Sequence, residues 1–205
     1  MGDRSNGGAL QPARLSLSLL PMSIRSRGAL GALLIILAAL AILLAMGRPA
    51  ICACGEIDLW GPGGAKQSQM LADWYSPSHI VHGFLFYAAL HFAARSWSVE
   101  RRFLVAIAVE AAWEIIENTP AVIDRYREAT IALGYSGDSI LNNLSDIGMM
   151  ALGFLAARKV PVWASVLIVA ALELVPLLGI RDNLVLNVWM LLAPNDSILA
   201  WQARA

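Results

Sequence analysis

Three segments decide the fold: SHIVHGF at 78–84, AVEAAWEIIENTP at 108–120 and GDSILNNLSD at 137–146. Each sets histidines, carboxylates or asparagines at helical spacing inside a stretch otherwise apolar enough to cross a bilayer. Ionisable groups are costly in such segments, so they mark functional sites. His79 and His82 are i, i+3; Glu110, Glu114 and Glu117 are i, i+4, i+7; Asp138, Asn142 and Asp146 step by four. Each helix thus carries one polar stripe, and burying the stripes requires these helices to face one another.

Composition agrees with a membrane setting. Of 205 residues 58% are hydrophobic and only 15% charged, below the roughly 25% charged content of ordinary soluble domains. The apolar residues cluster into long runs, which a water-soluble core does not need. The net charge is zero, with 15 basic and 15 acidic residues, so nothing favours a nucleic-acid partner. Cys52 and Cys54 are too few for a disulfide framework. They read either as a ligand or redox pair, or as two isolated small residues.

Residues 1–28 are polar and Gly/Ser-rich and read as a disordered cytoplasmic tail. Residues 29–205 then form a single membrane domain. The run from Gly28 to Met46 is long enough to span the hydrocarbon and, lacking a clean cleavage site, reads as an uncleaved anchor. Further helices are expected at about 76–95 (opened by Ser76-Pro77), 99–118 (capped by Ser98), 138–157 (capped by Asp138) and 161–180, bent by Pro176. Between Thr119-Pro120 and Gly134, residues Ile123, Tyr126, Thr130 and Leu133 share one face, which predicts a short amphipathic helix on the membrane surface. The apolar run 184–193 is too short to cross unless it is tilted or continued. The expected fold class is therefore all-α: a polytopic membrane helical bundle with five transmembrane helices, or six if that run crosses, plus the outward-facing amphipathic helix.

Lys and Arg bias sets the orientation. Four basic residues in the N-tail, three in the turn 95–102 and two at Arg158-Lys159 place those segments in the cytoplasm. The expected location is the cell inner membrane, with the 47–76 and 119–137 segments facing outward. Counting depth at about 1.5 Å per residue then gives an outer layer of His79, Glu117 and Asp138. Beneath it come a middle layer of His82, Glu114 and Asn142 and an inner layer of Glu110 and Asp146, with Glu173 near the last.

Three chemistries suit such a face. One is binding, or modification, of an anionic or lipid-linked envelope ligand by His82, Glu114, Arg125, Arg127, Asp138, Asn142 and Asp146, since arginine forks match phosphate and carboxylate. A second is metal-dependent hydrolysis, with a divalent ion such as Zn²⁺ on His79, His82, Glu114 and Glu117. A third is proton movement, although below Asp146 the helix reads IGMMALGFLAA and no pathway continues. Beside these stands a purely structural role, with the polar face holding helices together.

CxCG followed by LW, then DWYSPSHIVHGFLFY, WEIIENTP, DRYRE and YSGDSILNNLSD, resemble an uncharacterised bacterial multi-pass inner-membrane family of unknown function, over about residues 50–195. More distantly, the order His82, Glu114, Arg125 or Arg127, Asp138, Asn142 is similar to that of VanZ-like membrane proteins. The acid-Lys pair before the histidine and the regular glycine spacing after Asn142 are missing. That likeness implies an envelope or lipid-intermediate role by analogy alone.

Overall fold

The computed structural model describes residues 24–132 and 134–204, with side chains from Arg27 onward. Among these residues there are eight α-helices and no strand. They are α1 (Ile24–Ala45), α2 (Ser76–Ala93), α3 (Val99–Glu117), α4 (Pro120–Ala129), α5 (Ile140–Lys159), α6 (Val162–Ile180), α7 (Leu184–Leu192) and α8 (Asp196–Gln202). The expected disordered tail, residues 1–28, lies mostly outside the described residues; from Ile24 its last part is already α1.

Three helices are long and apolar enough to cross a membrane: α1 from Arg27, α5 and α6. The five expected spans do not all qualify on that measure. Helices α2 and α3 have the length, at 18 and 19 residues. Their hydropathy is diluted by His79, His82 and His91 in one and by Glu100, Arg101, Arg102, Glu110, Glu114 and Glu117 in the other. A sixth span at 184–193 is not formed. Nine residues of α7 rise only about 14 Å against a hydrocarbon thickness of about 30 Å. Exposed Val162, Trp163, Val166, Leu167 and Leu178 give α6 an apolar outer face, as lipid contact requires.

Helices α2 and α5 share the most extensive contact of any pair among the described residues, and two glycines let them approach. Gly83 meets the backbone of Met150, Gly153 and Phe154, while Gly153 meets the Ile80 carbonyl. Small residues at such a crossing let backbones approach directly. Helix α1 packs on α3 and α5, with Gly31 against Leu104. Ala39, Ala106, Ile107, Ala111, Ile147, Met150 and Phe154 then form one buried core, which fills the bundle below the polar stripes.

Above that core, the loop after α1 stitches the polar ends together. The first amides of α5 are not left unpaired: Ile140 N–H donates to the Pro49 carbonyl, Leu141 N–H to Ala50, and Asn142 N–H to Ser139 Oγ. Ser139, rather than Asp138, is thus the helix cap, and the Asp138 carboxylate is freed to turn towards the site. The amphipathic helix also ends earlier than the sequence predicts. α4 stops at Ala129, where Thr130 Oγ1 donates back to the Tyr126 carbonyl, and Gly134 lies outside it. Leu133 of the expected apolar face is outside the described residues.

Candidate functional site

Depth counting places His79 beside Glu117 and Asp138, but it lies deeper. The loop 66–75 folds over the bundle, with Ser68, Gln69, Met70 and Asp73 all buried. Asp73 caps the start of α2 by accepting from the Tyr75 and Ser76 amides, and Asn142 Nδ2 donates 3.0 Å to the Met70 carbonyl. This loop caps the polar end, so α2 starts below the surface and its first turn meets the inner layer. His79 Nδ1 is 2.7 Å from Glu110 Oε1 and 3.5 Å from Glu114 Oε1, and its Nε2 is 3.7 Å from Asp146 Oδ2. His82 Nδ1 is 3.1 Å from Glu110 Oε2.

Glu110, fully buried, therefore lies within hydrogen-bond distance of Nδ1 of both imidazoles. With Nδ1 of each ring turned to Glu110, Nε2 is the ring nitrogen left to face another partner, as it does in His79 towards Asp146. A carboxylate behind the ring is the usual partner of a metal-binding histidine.

A second constellation sits one turn outward. Oxygens of Glu114, Glu117 and Asp138 come within 4.8 Å of one another. Asp138 is held from two sides, by Asn118 Nδ2 at 2.7 Å and the Tyr135 hydroxyl at 3.0 Å, and its own amide donates to Asn118 Oδ1. Burial pushes the Asp138 carboxyl up to about 6, against the opposing pull of those two donors. Burial, reinforced by neighbouring carboxylates, also raises the Tyr75, Tyr126 and Tyr135 phenols, so they remain neutral donors.

Residues of both constellations, His79 and His82 from one and Glu117 and Asp138 from the other, line one cavity of about 330 Å³. Its polar wall is His79, His82, Asp73, Glu117, Asp138 and Asp146, and its apolar wall includes Phe86, Val109, Trp113, Leu184 and Val188. Val109 on α3 and Val188 on α7 are exposed on the bundle's flank as well, so the apolar wall continues to the outer surface there. No arginine or lysine is among the lining residues.

Of the residues singled out from the sequence, the structure gathers His79, His82, Glu114, Glu117, Asp138, Asn142 and Asp146 in or directly behind this cavity. Both histidines contact Glu110, however, and His79 also approaches Asp146 and Glu114, while Glu114 and Glu117 group with Asp138. Arg125 and Arg127 are not brought in. Arg125 Nε donates 2.9 Å to the Leu191 carbonyl and Arg127 Nε to the Tyr135 carbonyl, so both guanidiniums tie α4 to its neighbours. Glu173 is absent from the lining too; its Oε2 accepts from the Val185 amide at the start of α7. Cys52 and Cys54 are joined by a disulfide in the loop after α1, away from the lining residues.

Sequence reasoning missed Asp73, Asn118, Tyr75 and Tyr135. Asp73 had a signal, an acid just before Tyr75-Ser76-Pro77, where a capping carboxylate is expected. Asn118 closes the Glu114-Glu117 stripe at i+4 from Glu114. The two tyrosines carried none.

A family model described as "Protein of unknown function (DUF2585)" matches residues 43–204, which include every residue of the cavity wall. The chain belongs to that family. Its relatives run through most of their length with it. A UPF0314 protein of Novosphingobium aromaticivorans is 49% identical over 182 residues, covering 85% of this chain and 92% of the relative. One from Paracoccus denitrificans is 51% identical over 173 residues, 83% and 89% of the two chains. Another from Agrobacterium fabrum is 52% identical over 170 residues, 82% and 86%. No solved structure matches the chain. Family membership confirms the expected kinship with uncharacterised bacterial proteins, and the site itself carries the functional reading.

Proposed function

We propose that this family member is a metal-dependent membrane hydrolase, its site on the periplasmic side of the inner membrane. The observation that carries this reading is the cavity wall: two histidines and four carboxylates converge there, with no arginine or lysine among the described lining residues. Such a wall attracts a cation and repels an anion. A phosphate or carboxylate headgroup enters it only with a cation to bridge the contact. The lipid-linked ligand suggested by the sequence is thereby kept, but its polar head is read as held through metal, not by Arg125 and Arg127.

The cation would be held by His79 and His82, whose ring nitrogens lie close enough to one another and to Glu110 to share one ion, with Asp146, 3.7 Å from His79 Nε2, as a further carboxylate donor. His79, His82 and Asp146 line the cavity, whereas Glu110 lies behind the rings. Two imidazoles and one carboxylate with open positions suit Zn²⁺ or Fe²⁺-type ions, and such an ion, when bound, would lower the pKa of a bound water towards neutral. The apolar wall of Phe86, Val109, Trp113 and Val188 suits an acyl or isoprenoid chain reaching the site from the bilayer. Ion conduction is disfavoured, because Ile147, Met150 and Phe154 seal the bundle below Asp146.

In this reading α2 and α3 cross the membrane with α1, α5 and α6. The basic turns at Arg95–Arg102 and Arg158-Lys159 face the cytoplasm. The test is metal content of the full chain, purified in mild detergent without chelator, followed by hydrolysis of a chromogenic phosphodiester in the same micelles. Expected are bound metal, loss of one equivalent in His79→Ala/His82→Ala, and activity removed by chelator and restored by Zn²⁺. A folded, metal-free wild type that Zn²⁺ does not load would overturn the proposal.

A further inference from the structure

Among the described residues, Glu114 is the one buried carboxylate with both oxygens unpartnered by a hydrogen bond. The residue is fully buried. The nearest cationic candidate, His79 Nδ1 at 3.5 Å, is already committed to Glu110 at 2.7 Å. Buried polar atoms are paired in the great majority of cases, and an orphan carboxylate calls for a missing partner. A cation is the partner that would bond both oxygens of Glu114 and also relieve the crowding of three carboxylates. The oxygens of Glu117 and Asp138 lie within 4.8 Å of the Glu114 oxygen, close enough to share one ion. Asp138 is already held in place by Asn118 and Tyr135, as ligating carboxylates are by an outer shell.

We infer that Glu114, Glu117 and Asp138 form a second divalent-cation site, separate from the histidine site and bordering the same cavity. All its donors are carboxylate oxygens, so it takes a hard ion of the Mg²⁺ or Mn²⁺ class, whereas the histidine site takes a borderline one. The inference rests on the metal reading of the cavity and adds to it a second ion. Two cations facing one cavity suit an oxyanion headgroup, whose oxygens can contact both.

Mn²⁺ is the probe. The full chain in detergent is stripped with chelator, reloaded by equilibrium dialysis against Mn²⁺, and its bound metal counted. The wild type is expected to hold two ions per chain. Glu114→Gln removes the unpartnered charge without changing shape, so it folds, and it is expected to hold one. Glu117→Gln/Asp138→Asn is expected to match it, and His79→Ala/His82→Ala also to retain one, at the carboxylate site. A wild type with one ion, lost in the histidine variant and kept in Glu114→Gln, overturns the second site and leaves the first. One ion kept in the histidine variant and lost in Glu114→Gln supports the carboxylate site and overturns the histidine one. Two ions retained in folded Glu114→Gln overturn the inference outright.

Discussion

Replacing Gly83 by alanine tests whether the α2–α5 crossing positions the site. A methyl group at Gly83 lies 2.5 Å from the Phe154 amide nitrogen and 2.8 Å from the Gly153 carbonyl carbon, with the Met150 carbonyl oxygen closer still. All three are backbone atoms of α5, so no side chain can swing aside. Reaching the ordinary contact range, which begins at 3.4 Å, requires the helices to separate by close to an ångström. Overpacking of this kind costs about 1–3 kcal/mol, and a backbone obstacle puts Gly83→Ala at the upper end. The separation also moves His79 away from Asp146, whose 3.7 Å contact spans the same helix pair. Gly148 on α5 is an internal control, because a methyl there meets nothing within 4 Å. Helix propensity alone makes Gly148→Ala neutral or stabilising by up to about 1 kcal/mol. Unfolding of both variants in detergent, followed by tryptophan fluorescence, is expected to separate them by roughly 3 kcal/mol. Equal stabilities would refute the reading of α2–α5 as a direct backbone crossing.

Glu110→Gln keeps the shape of the residue behind the histidines but weakens its acceptor, so metal affinity at the histidine site should drop about 10–100-fold without vanishing; equilibrium dialysis against Zn²⁺ reads this, and complete loss would make Glu110 a direct ligand. Asn118→Ala strips donors from Asp138 Oδ2 and Asn143 Oδ1 and the acceptor from the Asp138 amide. At about 1–3 kcal/mol for each buried group left unpaired, it should reduce both thermal stability in detergent and the amount of protein in the membrane. Arg125→Ala should leave bound metal unchanged yet raise hydrogen exchange across 184–202, because Arg125 holds α4 to the end of α7; loss of metal would return the arginine to the site. Single cysteines at the exposed Ser96 and Ser197 test orientation: an impermeant maleimide is expected to label Ser197→Cys in intact spheroplasts and Ser96→Cys only after lysis.

Much of this arrangement was legible in the sequence. Helical spacing alone put Glu110, Glu114 and Glu117 on one face, and the caps at Ser98 and Thr119-Pro120 bounded the helices within a residue or two. The depth of α2 was not legible. It depends on the 66–75 loop folding over the bundle through Gln69, Met70 and Ser139, contacts between residues some 70 positions apart. That shift traded the expected partners of His79 for Glu110 and Asp146. Asp138 was misread as a helix cap because Ser139 competes for the same role one residue later, and only the Asn118 contact decides between them. The sequence offers the arginines of α4 to an anionic ligand by their fork chemistry and their nearness to the carboxylate stripes; the structure bonds each Nε to a carbonyl, of Leu191 or Tyr135, that has no sequence signature.

The most direct measurement is X-ray absorption at the metal edge of the full chain loaded with one equivalent of Zn²⁺. A cation on His79, His82 and Asp146 gives a nitrogen and oxygen first shell at about 2.0–2.2 Å with outer-shell imidazole scattering, and the imidazole signal disappears in His79→Ala/His82→Ala. A spectrum without imidazole scattering, or one unchanged by that double substitution, would contradict the site.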